Sequence, residues 1–309
     1  MKTILLFLCL IQILFVLASP VFAGPIIAWG RNDYGQATAP IGNDFIAIAG
    51  GGYHSLALRF DGSIITFGNS SYGLSGTPTG FDFVAIDAGH DHSLALRNNG
   101  TLIAWGNNNF GQCDVPSGTD YVAINAGVGH NLALRSNGSI AAWGNNEYGQ
   151  CDVPTGNDFV AIAAGAVHSI ALRSDGSLVG WGLNPNNDYS EANVPPGDNY
   201  IKIASKGYHT LALKSDNSIT GWGNNLDSQC VITGNDFAVI AAGETFSVAL
   251  NFNGSLVANG QNTYSQCNIP AGNNYIDVAA GSFHGLALVP EPATFLLLGL
   301  SAVMVRKHR

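Results

Sequence analysis

Six histidines hold the same place in a repeating sequence: His54, His92, His130, His168, His209 and His284, with Phe246 where a seventh would fall. Successive marks are 38, 38, 38, 41, 37 and 38 residues apart. Imidazoles can ligate a metal or exchange protons near neutral pH. A metal, however, needs its ligands to converge at bond lengths of ~2 Å. Equivalent positions of successive repeats are instead held apart by the repeat itself. The histidines are therefore expected to be architectural, for example with a ring nitrogen satisfying a loop backbone group. No metal or other cofactor is expected.

Four cysteines raise a redox question. Cys113, Cys151, Cys230 and Cys267 each stand seven residues after the glycine of a Trp-Gly pair or its equivalent, while Cys9 lies in the N-terminal segment. An even number in an exported chain suggests bridges, and the adjacent pairs would be Cys113–Cys151 and Cys230–Cys267. A disulfide wants Cα atoms ~5.5 Å apart, which equivalent points of a ring reach only close to its axis. Free thiols are the expectation, with the bridges left open. Nothing else reads as a catalytic set: there is no G-x-S-x-G, no H-E-x-x-H and no phosphate-binding glycine loop. Asp residues beside Gly are explained by turns. A non-enzyme is expected; the alternative is an extracellular polysaccharide-acting enzyme whose carboxylates come from different repeats.

Residues that differ between repeats are better candidates for recognition. The position just before the repeat histidine holds Tyr53, Asp91, Gly129, Val167, Tyr208, Thr245 and Phe283. Tyr53, Asp91, Tyr208 and Phe283, with the neighbouring Glu244, form the first candidate binding face, on which the three aromatics are expected to be exposed. A second loop places Tyr34, Tyr72, Phe110, Tyr148 and Tyr264 four residues after the Trp-Gly glycine. Exposed aromatics suit protein hot spots or stacking on sugars. The fifth repeat is the outlier, with a three-residue insertion near Leu183 to Ser190 and the lysines Lys202, Lys206 and Lys214.

These residues must be positioned by strands. Trp29, Phe67, Trp105, Trp143, Trp181, Trp222 and Asn259, each followed by Gly, keep the period of the histidines, and a period of this length marks stacked repeats. Within one unit, FVAIAAG, HSIALR and SLVGWG read as three strands. Asp175-Gly176 is expected to form a two-residue hairpin turn with positive φ angles between the last two. The GQCDVP stretch either adds a short fourth strand or crosses to the next unit. The mature chain would open with a third strand, Pro25 to Gly30, and finish with a second strand, His284 to Pro290. Joined, they complete a seventh sheet, so the expected fold is all-β: a seven-bladed β-propeller closed by its own terminal strands.

The pattern AAG-x-x-HSLAL-x-x-DG-x-x-x-x-WG-x-N-x-x-GQ resembles the regulator of chromosome condensation repeat, in its bacterial short-repeat form, over Gly24 to Val289. That resemblance implies the propeller; it leaves function open, because propellers host many activities. The two ends read as addresses. Residues 1–23 have a lysine, an apolar run and a small-residue end, and read as a signal peptide. Residues 290–309 contain Pro290, Glu291 and Pro292, an apolar stretch and Arg306, Lys307 and Arg309, and resemble the PEP-CTERM sorting signal. This resemblance implies a bacterial protein processed by an exosortase, transiently anchored in the inner membrane, then delivered to the cell surface or an exopolysaccharide matrix. Without Lys2, Arg306, Lys307, Arg309 and Glu291, 8 basic residues face 20 acidic ones, a poor match to nucleic acid. The expected partner is a surface protein or polysaccharide.

Overall fold

A computed structural model describes residues 24–70, 76–182 and 189–291. Tyr72, Pro292, the signal segment, the apolar tail and residues 183–188 of the fifth-repeat insertion lie outside them. The described residues form seven antiparallel sheets of three strands each. The first blade contains β2 (Phe45–Gly50), β3 (His54–Arg59) and β4 (Ile64–Gly68), and the pattern recurs through β17 (Phe237–Ala242), β18 (Phe246–Asn251) and β19 (Leu256–Gly260). The GQCDVP stretches are turns rather than a fourth strand.

The last sheet joins the two ends. β1 (Ile26–Gly30) pairs antiparallel with β21 (His284–Leu288), which pairs in turn with β20 (Asp277–Ala280). Ser282 N–H donates to Gly51 O across the seam at 2.9 Å. Ile26, Leu286 and Leu288 pack with Phe45, Ile48 and Ala57 of the first blade. The ring therefore closes through both backbone and core.

Elsewhere the core likewise lies between blades. Leu56 and Leu58 of the first blade pack against Phe83, Ala95 and Trp105 of the second. A three-stranded sheet has two faces to cover, and only its neighbours can cover them. The Trp rings add a polar tie: Trp143 Nε1–H donates to Gln112 O and Trp181 Nε1–H to Gln150 O.

The hairpin turn differs from the sequence expectation. Arg59 N–H bonds to Ser63 O and Gly62 N–H to Arg59 O, so the loop has three residues, Phe60 to Gly62. Only its last residue is left-handed, Gly62 at φ 82°. Asp61 contributes its side chain instead, accepting from the Ser63 amide and hydroxyl. Asn217 takes the glycine's place in the fifth blade at φ 64°, a region Asn tolerates better than most residues.

Candidate functional site

The histidines bridge neighbouring blades through one ring nitrogen each. Their Nε2 atoms meet a polar side chain of the next blade: His54 with Ser93 at 2.9 Å, His92 with Asn131 at 2.8 Å, His130 with Ser169 at 2.9 Å. His168 meets Thr210, His209 meets Ser247, and His284 closes the seam onto Ser55 at 2.7 Å. Ser55, Ser169 and Ser247 give their own protons to the Gln36, Gln150 and Gln229 carbonyls. Each must therefore accept from imidazole, which fixes the Nε2–H tautomer. Burial pushes His54, His130, His168 and His284 down to about 3, and His92 and His209 to about 4. They are neutral clasps.

The exception follows the same logic. Phe246 makes no such bond, and the facing residue of the seventh blade is Gly285 rather than Ser, Thr or Asn. Trp29 fills the space that a side chain at Gly285 would need. Glycine also precedes each clasp for a packing reason: at Gly89, a Cβ would strike the imidazole of His92.

Lys206 is the exception to that glycine. It is buried at the end of the fifth blade's inner strand, β14 (Tyr200–Lys206), which runs one residue longer than most. Its Nζ crosses the axis and donates to Gly50 O of the first blade and Ala88 O of the second, both at 2.7 Å. Burial lowers its pKa, opposed by the charges of Asp87 and Glu244. Asp87, half-buried, accepts from Asn125 Nδ2 and from the Ala88 and Ala126 amides. Lys202 Nζ donates to Ala238 O at 2.8 Å. These groups line or border an axial cavity of about 250 Å³ walled by small residues of the inner strands. The sequence signal for Lys206 was its place: a lysine where six repeats have glycine.

The cysteines stay unpaired, each thiol donating to a backbone carbonyl, as Cys113 does to Asn107 O and Cys151 to Asn145 O. Burial raises them to about 11 or 12, so they are poor nucleophiles.

The two candidate loops turn out to share one face. Tyr34 packs edge-on against Tyr53 at 5.5 Å, Tyr189 against Tyr208 at 6.3 Å and Tyr264 against Phe283 at 5.5 Å. Tyr53 also meets His90, and the Arg31 guanidinium lies over Tyr53, Tyr264 and Phe283 at 5.1, 4.6 and 5.8 Å. Tyr53, Tyr208 and Phe283 are consequently half-buried, not exposed as the sequence suggested, because each ring is covered by an aromatic of the preceding loop. Tyr34, Phe110 and Tyr264 are the open ones, at 50%, 57% and 37% exposure. Asp91 pairs with His90 Nδ1 at 3.0 Å. Glu244 sits near the axial mouth, where it acts on Lys206. Pro290 is buried beside the closing strand, and Glu291 accepts from Asn43 Nδ2.

Residues of both loops also line a groove of about 270 Å³: Asp91, Phe110, Gly129, Tyr148, Val167 and Tyr208, with the carboxamides of Asn107 and Asn145. Aromatic rings, small apolar side chains and carboxamides line it together.

Five segments, 45–74, 83–112, 121–150, 159–188 and 200–229, match the regulator of chromosome condensation (RCC1) repeat. No curated protein matches the chain in sequence. Among solved structures, Prp20p of Saccharomyces cerevisiae, described with its binding to Gsp1p and histones, is similar with a TM-score of 0.74 and 19% identity, covering 91% of this chain and 95% of that one. Human WBSCR16 gives 0.70 at 18% identity over 86% of this chain and 100% of its own. The ectodomain of the Arabidopsis thaliana receptor kinase ACR4 gives 0.63 at 24% identity, covering 80% and 90%. At these identities the likeness carries the fold alone. The chain carries five RCC1 repeats within an RCC1-like seven-bladed β-propeller.

Proposed function

We propose that this is an exported, non-enzymatic binding or scaffold protein of the bacterial cell surface or exopolysaccharide matrix, which holds its partner on the loop face of the propeller. One observation carries the reading. The groups that recur from blade to blade, above all the six histidines, tie neighbouring blades together through Nε2, whereas the residues that vary converge on one aromatic and acidic face with a groove. Rigid strands carrying variable loops are a common way to build a recognition surface. The partner is a surface protein or polysaccharide. Delivery rests on the resemblance of the tail to a PEP-CTERM signal read by an exosortase.

Two experiments test the halves separately. Pull-down from envelope fractions and a glycan array should yield a partner whose capture is lost in the Phe110→Ala, Tyr148→Ala double variant. Capture unaffected by that variant would move the site off this face, and cleavage of any arrayed glycan would favour the enzyme instead. Fractionation tests delivery: Glu291→Ala should leave the chain unprocessed in the membrane. Normal surface delivery of that variant would reduce the tail to a plain anchor.

A further inference from the structure

The aromatic pairs of the loop face follow a register. A loop aromatic after one blade's Trp-Gly pair packs on the residue 19 positions later, just before the next blade's clasp position, giving Tyr34 with Tyr53, Tyr189 with Tyr208 and Tyr264 with Phe283. In that register Phe110 faces Gly129. A Cβ built on Gly129 would point toward Phe110 Cδ2 at 3.7 Å and Asn145 Cβ at 3.4 Å, ordinary contact distances. Gly129 also lies outside the glycines with left-handed backbone. The place taken by a ring in three other blades is therefore open here, and it is this opening that forms the groove between Phe110 and Tyr148. Phe110 is left 57% exposed, without the partner its counterparts have.

We infer that the Gly129 slot receives an aromatic side chain of a protein partner, completing edge-on against Phe110 the pair that the chain leaves unfinished. The inference rests on the loop face being the binding surface and names what that surface takes. The fold supplies the template: the same loops seat Tyr or Phe rings at 5.5 to 6.3 Å in the equivalent places, within the range aromatic pairs prefer. The flanking residues set the partner's charge. Asp91 lines the groove, and the chain carries a formal net charge of −9, so a partner ring flanked by Lys or Arg is favoured. Arg31, stacked over Tyr53 and Tyr264, is the chain's own instance of a guanidinium on such a pair.

The test uses the full chain and two peptides, acetyl-Gly-Arg-Tyr-Arg-Gly-amide and its Tyr-to-Ala counterpart, with cellohexaose as a saccharide probe, all read by NMR titration of the groove amides. The Tyr peptide should shift the Gly129, Asn107 and Asn145 signals and bind about tenfold or more tighter than the Ala peptide. Gly129→Tyr should fold with an unchanged or higher melting temperature and lose that preference, since its own ring fills the slot. Phe110→Ala should lose it too, and decides the matter if Gly129→Tyr fails to fold. Equal binding of both peptides, or undiminished preference in the variants, overturns the inference. Cellohexaose shifting the groove while the Tyr peptide does not also overturns it, yet leaves the binding-face reading standing. That reading falls only if captured partners ignore the face altogether.

Discussion

A neutral imidazole between two blades is stable only while it stays neutral. The six clasp histidines have pKa values of about 3 to 4 against 6.5 in an unfolded chain. Between those limits the unfolded chain binds more protons, so stability is full above pH 6.5 and falls as pH drops through that window. Asp277 acts the other way: burial raises it from 3.8 to about 6, so the folded chain binds its proton first and gains as pH falls from 6 to 4. Burial raises the Asp87 carboxyl as well, so two carboxylates oppose six imidazoles. The melting temperature should therefore fall steeply from pH 7.5 to pH 4.5, and a flat profile would contradict buried, neutral histidines. Lys206 gives a second residue-level expectation. Lys206→Met keeps the stem's packing but leaves two backbone carbonyls without donors and Asp87 without a counter-charge. A loss of about 1–3 kcal/mol in urea unfolding is expected, partly restored by adding Asp87→Asn. The sequence marked Lys206 only as an oddity. Its partners lie 118 and 156 residues away, and no local pattern connects them.

At the scale of elements, the unit of stability is a strand and its neighbour in the next blade. Ser169 joins β9 (His130–Arg135) to β12 (Ser169–Arg173), accepting from His130 and donating to Gln150 O. Ser169→Ala should cost about 1–3 kcal/mol by leaving a buried imidazole N–H without an acceptor, whereas Ser177→Ala, in a half-exposed hairpin turn, should stay within about 0.5–1 kcal/mol. Equal effects would mean that the clasp carries no weight. Strand positions were legible because two markers shared one period and small residues lined the inner strands. The turn type was not: Asp-Gly suits both a two-residue loop and the three-residue loop observed, and the choice depends on the backbone bonds of Arg59 and Gly62. The pairing of the two aromatic loops was equally hidden. Tyr34 and Tyr53 are 19 residues apart and meet only because blades stack, so two candidate surfaces became one and the rings expected to be exposed became half-buried.

For the whole molecule, closure is what turns seven weak sheets into one cooperative unit. A linear stack would leave an apolar sheet face bare at each end, whereas the ring leaves none. The sequence announced this through its unequal ends, a third strand at the start and a second strand at the finish, and the pairing of β1 with β21 agrees. What it could not announce was the cross-axis tie of Lys206, which links the fifth blade to the first and second. The direct measurement is urea and thermal unfolding of the chain lacking Gly24 to Gly30 beside the intact chain. Ile26 and Trp29 are buried in the seventh blade, and their loss alone removes about 3–6 kcal/mol, with the β21 edge left unpaired. Closure predicts a single cooperative transition in the intact chain and a much lower, broadened one in the truncated chain. Identical transitions for the two would contradict a ring held shut by its own ends.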